Sequence, residues 1–232
     1  MTELPKKIIV NRIPYSVCNS NDPYSYEADP GVQEIRVTQE AAPARKRQYF
    51  MWEVAHLLLV SAGMSQKEAD RYHAGVGSVL NRLVIDNDTD FVKGRKPVPS
   101  MIWINGLPYT IQQDIFKELQ DEDLGGRVTY DTLYIQIMED LKPEIKSYVV
   151  VHEITHAVLF EANAGNYDSK ETFVEALAWQ LLYFLQDNDL SILKPVMLLN
   201  WICLISCISL SWVNLLLLCF SILEELCSNC WE

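Results

Sequence analysis

The sequence predicts an α+β fold built twice: two tandem small units, each a short antiparallel sheet with two or three helices, followed by a hydrophobic C-terminal helix. Three observations carry this reading. Four blocks recur in the same order at nearly constant spacing. Short β-branched and aromatic runs with period-two alternation precede long apolar runs of helical length. A stretch without any charge, 195–223, follows the second copy.

The first block pair is KIIVNRIPYSV (Lys7–Val17) and MIWINGLPYTI (Met101–Ile111), which share an Asn and then Pro-Tyr at an offset of 94. VQEIRV (Val32–Val37) matches TLYIQI (Thr132–Ile137) at an offset of 100. QYFMWEVAHLLLVSAG (Gln48–Gly63) matches the run around VVVHEITHAVLFEA at the same offset, and VLNRLVIDND (Val79–Asp88) matches QLLYFLQDND (Gln180–Asp189) at 101. Copy one spans 5–92 and copy two 99–190. Between them TDFVKGRKPVPSM, rich in Lys, Arg, Pro and Gly, reads as a linker.

Within copy two, PYTIQQ, GRVTYD and TLYIQIME read as strands, the last two joined by a hairpin turning at Tyr130-Asp131-Thr132. Pro143, followed by Glu144, opens a helix at its first turn. That helix runs to about Ala162 and breaks at NAGNYDS. A second begins after Asp168 or Ser169, with Glu171 in its first turn, and ends near QDND.

Composition narrows the function. With 49% apolar and 22% charged residues in 232, the chain is not a disordered one. The net charge of −12 is uneven: residues 1–100 hold 13 Lys+Arg against 12 Asp+Glu, and the remainder 6 against 19. So acidic a second half repels phosphate backbones, so no nucleic-acid partner is expected. Five of six cysteines lie in the last thirty residues, leaving Cys18 alone in the body, so no disulfide framework is expected. MTELPKKIIVNRIPY lacks the apolar core of a signal peptide, and the body is expected in the cytoplasm.

The chemistry lies in His152-Glu153-Ile154-Thr155-His156. Residues four apart on a helix share a face, so His152 and His156 project side by side, as one Zn²⁺ requires of two imidazoles. Glu153, one residue along, stands aside and can take a proton from a water activated by the metal. Placing three such groups between Val149-Val150-Val151 and Ala157-Val158-Leu159-Phe160 is costly unless something pairs with them. A third ligand is sought on the next helix, where Glu171 and Glu175 share a face. Glu171 stands at the helix start, where a carboxylate is favoured without any metal, so Glu175 is the preferred ligand, with Glu171 and Asp168 as alternatives. Tyr130, Tyr134 and Tyr167 are the candidates for stabilising an oxyanion.

INGLPYTI, GRVTYDTLYIQI, VVVHEITHAVLFEA and ETFVEALAWQLLYFLQDND together resemble the small zinc metallopeptidase-like proteins of phages and prophages. These are similar to the ImmA/IrrE group of HExxH peptidases that cleave repressors. The resemblance covers 101–190 well and 5–92 weakly. It departs at Trp179, where the family commonly carries Asn. It implies two zincin-like units, with His152 and His156 as zinc ligands, Glu153 as catalytic acid/base and Glu175 as third ligand. It also implies zinc-dependent peptide-bond hydrolysis of a protein or peptide substrate such as a repressor. The alternative is a non-enzymatic regulatory or binding module on the same fold.

Copy one keeps Glu53 and His56 but has Trp52 in place of His152, and Glu175 falls on Ala74. One histidine cannot hold a catalytic zinc, so copy one is expected to be inert. The uncharged segment 195–223 is long enough for a membrane span, and Lys194 before it with Glu224-Glu225 after it would leave the body in the cytoplasm. An accidental tail appended to the folded body reads equally well. Cys227 and Cys230 form a lone CxxC.

Overall fold

The computed structural model describes residues 4–23, 26–122 and 124–194. The segment 195–223 and the CxxC after it lie outside these residues. Among the described residues no helix is long and apolar enough to cross a membrane.

Each half opens with a two-residue hairpin. β1 (Lys7–Val10) turns through Asn11-Arg12 into β2 (Ile13–Ser20), with Val10 opposite Ile13. Both turn residues are left-handed, with φ 49° and 61°, as the twist of a tight hairpin requires. β3 (Tyr26–Asp29) pairs antiparallel with β4 (Glu34–Thr38), and β4 pairs with β2 in parallel. Two helices follow: α1 (Pro43–Ser61), with Pro43 in its first turn, and α2 (Gln66–Asp86), capped by Ser65, whose hydroxyl accepts the Glu68 N–H.

The second half repeats this: β5 (Met101–Ile104), β6 (Leu107–Asp114), a short α3 (Lys117–Asp121), β7 (Gly126–Thr129), β8 (Tyr134–Met138) and α4 (Pro143–Glu161). Then α5 (Gly165–Asp168) and α6 (Glu171–Asp187) stand where the first half has α2 alone. The protein is therefore α+β with two four-stranded sheets, ordered β1-β2-β4-β3 and β5-β6-β8-β7.

The sheets are mixed, which corrects the expectation of antiparallel ones. The chain leaves β6 and runs to the far edge before turning back through the β7–β8 hairpin. β8 thus lies beside β6 pointing the same way, Ile111 opposite Ile135. Alternation along β4 and β8 sends Ile35, Val37, Ile135 and Ile137 into the core, all fully buried.

The two halves share one core. The segment read as a linker carries a 3-10 turn, Asp90–Lys93, whose Phe91 and Val92 are buried with residues of both halves. Asn87, just past α2, grips the strand of the other half: its amide donates to the Trp103 carbonyl and its oxygen accepts the Trp103 N–H, each at 2.7 Å. Asn188, just past α6, does the same to Ile9, each at 2.8 Å. Lys93 then donates to the Asn188 carbonyl and Lys194 to that of Asn87. Each half's last helix is thus tied to the other half's first hairpin, and residues up to Lys194 form one compact unit.

Candidate metal centre

On α4 the His152 and His156 rings face one another, Nε2 to Nε2 at 3.2 Å. Glu171, the first residue of α6, meets both: Oε1 lies 2.8 Å from His152 Nε2 and Oε2 3.4 Å from His156 Nε2. Donor atoms around one tetrahedral metal at about 2.0–2.1 Å stand roughly 3.3 Å apart, so this set of two imidazoles and one carboxylate fits a single Zn²⁺.

Asp168, closing α5, orients one ring. Its Oδ1 lies 2.9 Å from His156 Nδ1 and accepts the Tyr130 hydroxyl at 2.6 Å. A proton on Nδ1 leaves a lone pair on Nε2, the form a metal ligand needs. His152 has its imidazole pKa lowered by burial and by His156, against the pull of Glu171 and Glu175, which favours its neutral, ligating form. Both effects follow from short spacings that the sequence alone fixes only on α4.

Glu153 turns toward the sheet. It is only 6% exposed and accepts the backbone N–H of Val128 on β7. Burial pushes its carboxyl up to about 8; Glu171 adds to the rise, while Val128 and Arg127 oppose it. The strand comes this close because Gly125 and Gly126 have no side chain. A Cβ on Gly126 would stand 3.0 Å from Glu153 Cγ and 2.9 Å from Val149 Cγ1.

A cavity of about 450 Å³ opens here, lined by Tyr130, Tyr148, Glu153, Glu175 and the three donors, with β7 along one side. Glu175, preferred from the sequence, is exposed on the cavity wall and stands outside the three-donor group, which holds Glu171. The reason lies in the chain entering α6: α5 brings the helix start, and Glu171 with it, over the two rings. Of the three tyrosines considered, Tyr130 lines the cavity. The Tyr134 hydroxyl goes to Gln112 and the Tyr167 hydroxyl to Glu68. The sequence reading missed Tyr148, whose ring stacks on Trp179 at 4.2 Å. Burial, then Glu175, Glu171 and Glu153, push its hydroxyl up to about 12, so it keeps its proton. Its signal was its place four residues before His152, on the same helical face.

The equivalent place in the first half is filled. Trp52 replaces His152 and its indole N–H donates to Ser78 at 2.9 Å. Tyr26, at the position of Gly126, stacks on Tyr49 at 4.6 Å and meets Trp52 edge-on at 5.6 Å. Glu53 remains buried and bonded to the Ala28 backbone, as Glu153 is to Val128. His56 lies 3.1 Å from Asp70, the counterpart of Glu171 at the offset of 101. The His73 ring stands 5.8 Å from that of His56, but its Nδ1 is turned to the Ala69 and Asp70 carbonyls, and among the described residues only the second half brings three donor atoms together. Compared with family models, curated proteins and solved structures, the chain matches none.

Proposed function

We propose that the protein is a zinc-dependent peptide-bond hydrolase, with His152, His156 and Glu171 holding the metal and Glu153 as acid/base. The observation that carries this is the meeting of three donors beside a buried glutamate that lines the same cavity. Bound zinc would polarise the scissile carbonyl and lower the pKa of a water. With the metal bound, Glu153 would take a proton from the water and return it to the leaving amine. The Val128 N–H fixes the direction in which that carboxyl points. Tyr148, which keeps its proton, offers its hydroxyl to the developing oxyanion, whereas the Tyr130 proton is already given to Asp168.

A polypeptide substrate is favoured by the cavity's wall. β7 is an edge strand, paired only with β8, and lies along the cavity. An extended peptide can align on such an edge through backbone hydrogen bonds. A zincin-like arrangement is the finer reading of the second half, and a repressor the substrate suggested by resemblance. One observation favours a non-enzymatic binding module instead: the first half keeps the same architecture without a ligand set. Glu153→Gln separates the two. It should retain zinc and lose all hydrolysis of a peptide library that the unaltered protein cleaves. A protein that binds zinc and cleaves nothing would favour the binding module.

A further inference from the structure

The half without a ligand set reaches the other half's centre by two routes. The first starts at Arg12, in the β1–β2 turn, whose guanidinium lies 4.1 Å over the Tyr183 ring. Tyr183 stacks on Trp179 at 5.7 Å, Trp179 on Tyr148 at 4.2 Å, and the Tyr148 ring stands 5.9 Å from the His152 imidazole. The second starts on α2. The Glu68 carboxylate accepts the Tyr167 hydroxyl, and Tyr72 packs edge-on against the same ring at 5.7 Å. Tyr167 precedes Asp168, which holds His156 Nδ1 at 2.9 Å. Each histidine ends a chain of contacts that begins in the other half.

These routes run one way. At the repeat offsets Arg12 corresponds to Gly106, Tyr148 to Gln48, and Trp179 and Tyr183 to Ser78 and Arg82. Glu68 corresponds to Ser169. The second half therefore offers the first no equivalent ladder. Arg12 also sits at φ 61°, where the twin hairpin has Gly106 at φ 80°. Glycine adopts that left-handed backbone freely and an L side chain does not, and an Asn-Gly turn is the relaxed choice. A strained residue standing where the relaxed one serves in the twin points to a use for its side chain.

We infer that the N-terminal half is the positioning partner of the metal centre, with Arg12 setting His152 through the aromatic ladder and Glu68 and Tyr72 setting His156 through Tyr167. The inference rests on the metal-binding part of the proposed function and not on hydrolysis. Arg12, Glu68 and Tyr72 are positioning residues, since none touches a donor atom.

Arg12→Gly in the full chain is the decisive variant, because glycine suits the turn while deleting the guanidinium. Its unfolding temperature should stay within about 3 °C of the unaltered protein, while its zinc Kd rises roughly three- to tenfold, short of the loss for a direct ligand partner. In the metal-free protein the Trp179 indole N–H should become mobile, its NMR order parameter falling toward about 0.6. Arg12→Lys, which keeps a cation over Tyr183, should restore both, and Tyr167→Phe should weaken zinc in the same direction. Unchanged zinc affinity with an unchanged Trp179 signal would overturn the inference. So would a loss of affinity that merely tracks a large fall in unfolding temperature. If even the unaltered protein takes up no zinc, the metal reading fails on its own, and the Trp179 signal alone decides for or against positioning.

Discussion

Glu171 bridges the two imidazoles of α4, 2.8 Å from His152 and 3.4 Å from His156, although it lies fifteen residues beyond the second of them. Glu175, one turn further along the same helix, reaches the cavity but not the donor group. Glu171→Ala should therefore weaken zinc binding by roughly a hundredfold or more, and Glu175→Ala by less than about tenfold. A zinc titration of both variants checks this, and the reverse order would return the third coordination position to Glu175.

The protonation of Glu153 gives a pH dependence with a definite sign. Its carboxyl is raised in the folded state to about 8, above its unfolded value, so the folded protein binds the proton more tightly. That stability is fully present below the unfolded value of about 4.5 and is lost as pH rises toward 8, at up to about 1.4 kcal/mol per unit. Glu53 is shifted in the same direction, so the comparison must isolate one group. Metal-free Glu153→Gln should lose less stability than the unaltered protein between pH 5 and pH 8, by chemical denaturation. Parallel curves would contradict the burial argument.

Gly126 is a steric requirement of the site. Gly126→Ala places a methyl 2.9 Å from Val149 and 3.0 Å from Glu153, in a contact that must open. The expected cost is about 1–3 kcal/mol in stability, with a fall in activity because β7 carries the Val128 N–H that fixes Glu153. Thermal unfolding and peptide cleavage measure the two effects; a variant as stable and as active as the unaltered protein would refute the requirement.

Much of this was legible in the sequence. Pro143, the break at NAGNYDS and the QDND end delimit α4 and α6 because helix starts and stops are written in local chemistry. The two histidines follow from spacing alone. The parallel β6–β8 pairing was not legible, since strand runs give period and length but not the path between them. Nor was the meeting of Glu171 with the two imidazoles, since Glu171 and Glu175 share a helix face and differ in where α5 delivers the helix start. The asparagines of the repeated DND ends were visible as a repeat. Their role, gripping Trp103 and Ile9 across the halves, needed the fold. Asn87→Ala would leave the Trp103 backbone groups without these partners, at a cost of about 1–3 kcal/mol by denaturant unfolding; no loss would mean that the halves are held by the apolar core alone.

The central claim is a single metal centre in the second half, and metal content tests it most directly. Elemental analysis of the full chain after equilibration with excess zinc and removal of the unbound ion should give one zinc per chain. His152→Ala should abolish it, and Glu53→Ala should leave it unchanged. No bound zinc, two zincs per chain, or one that survives His152→Ala would contradict the account.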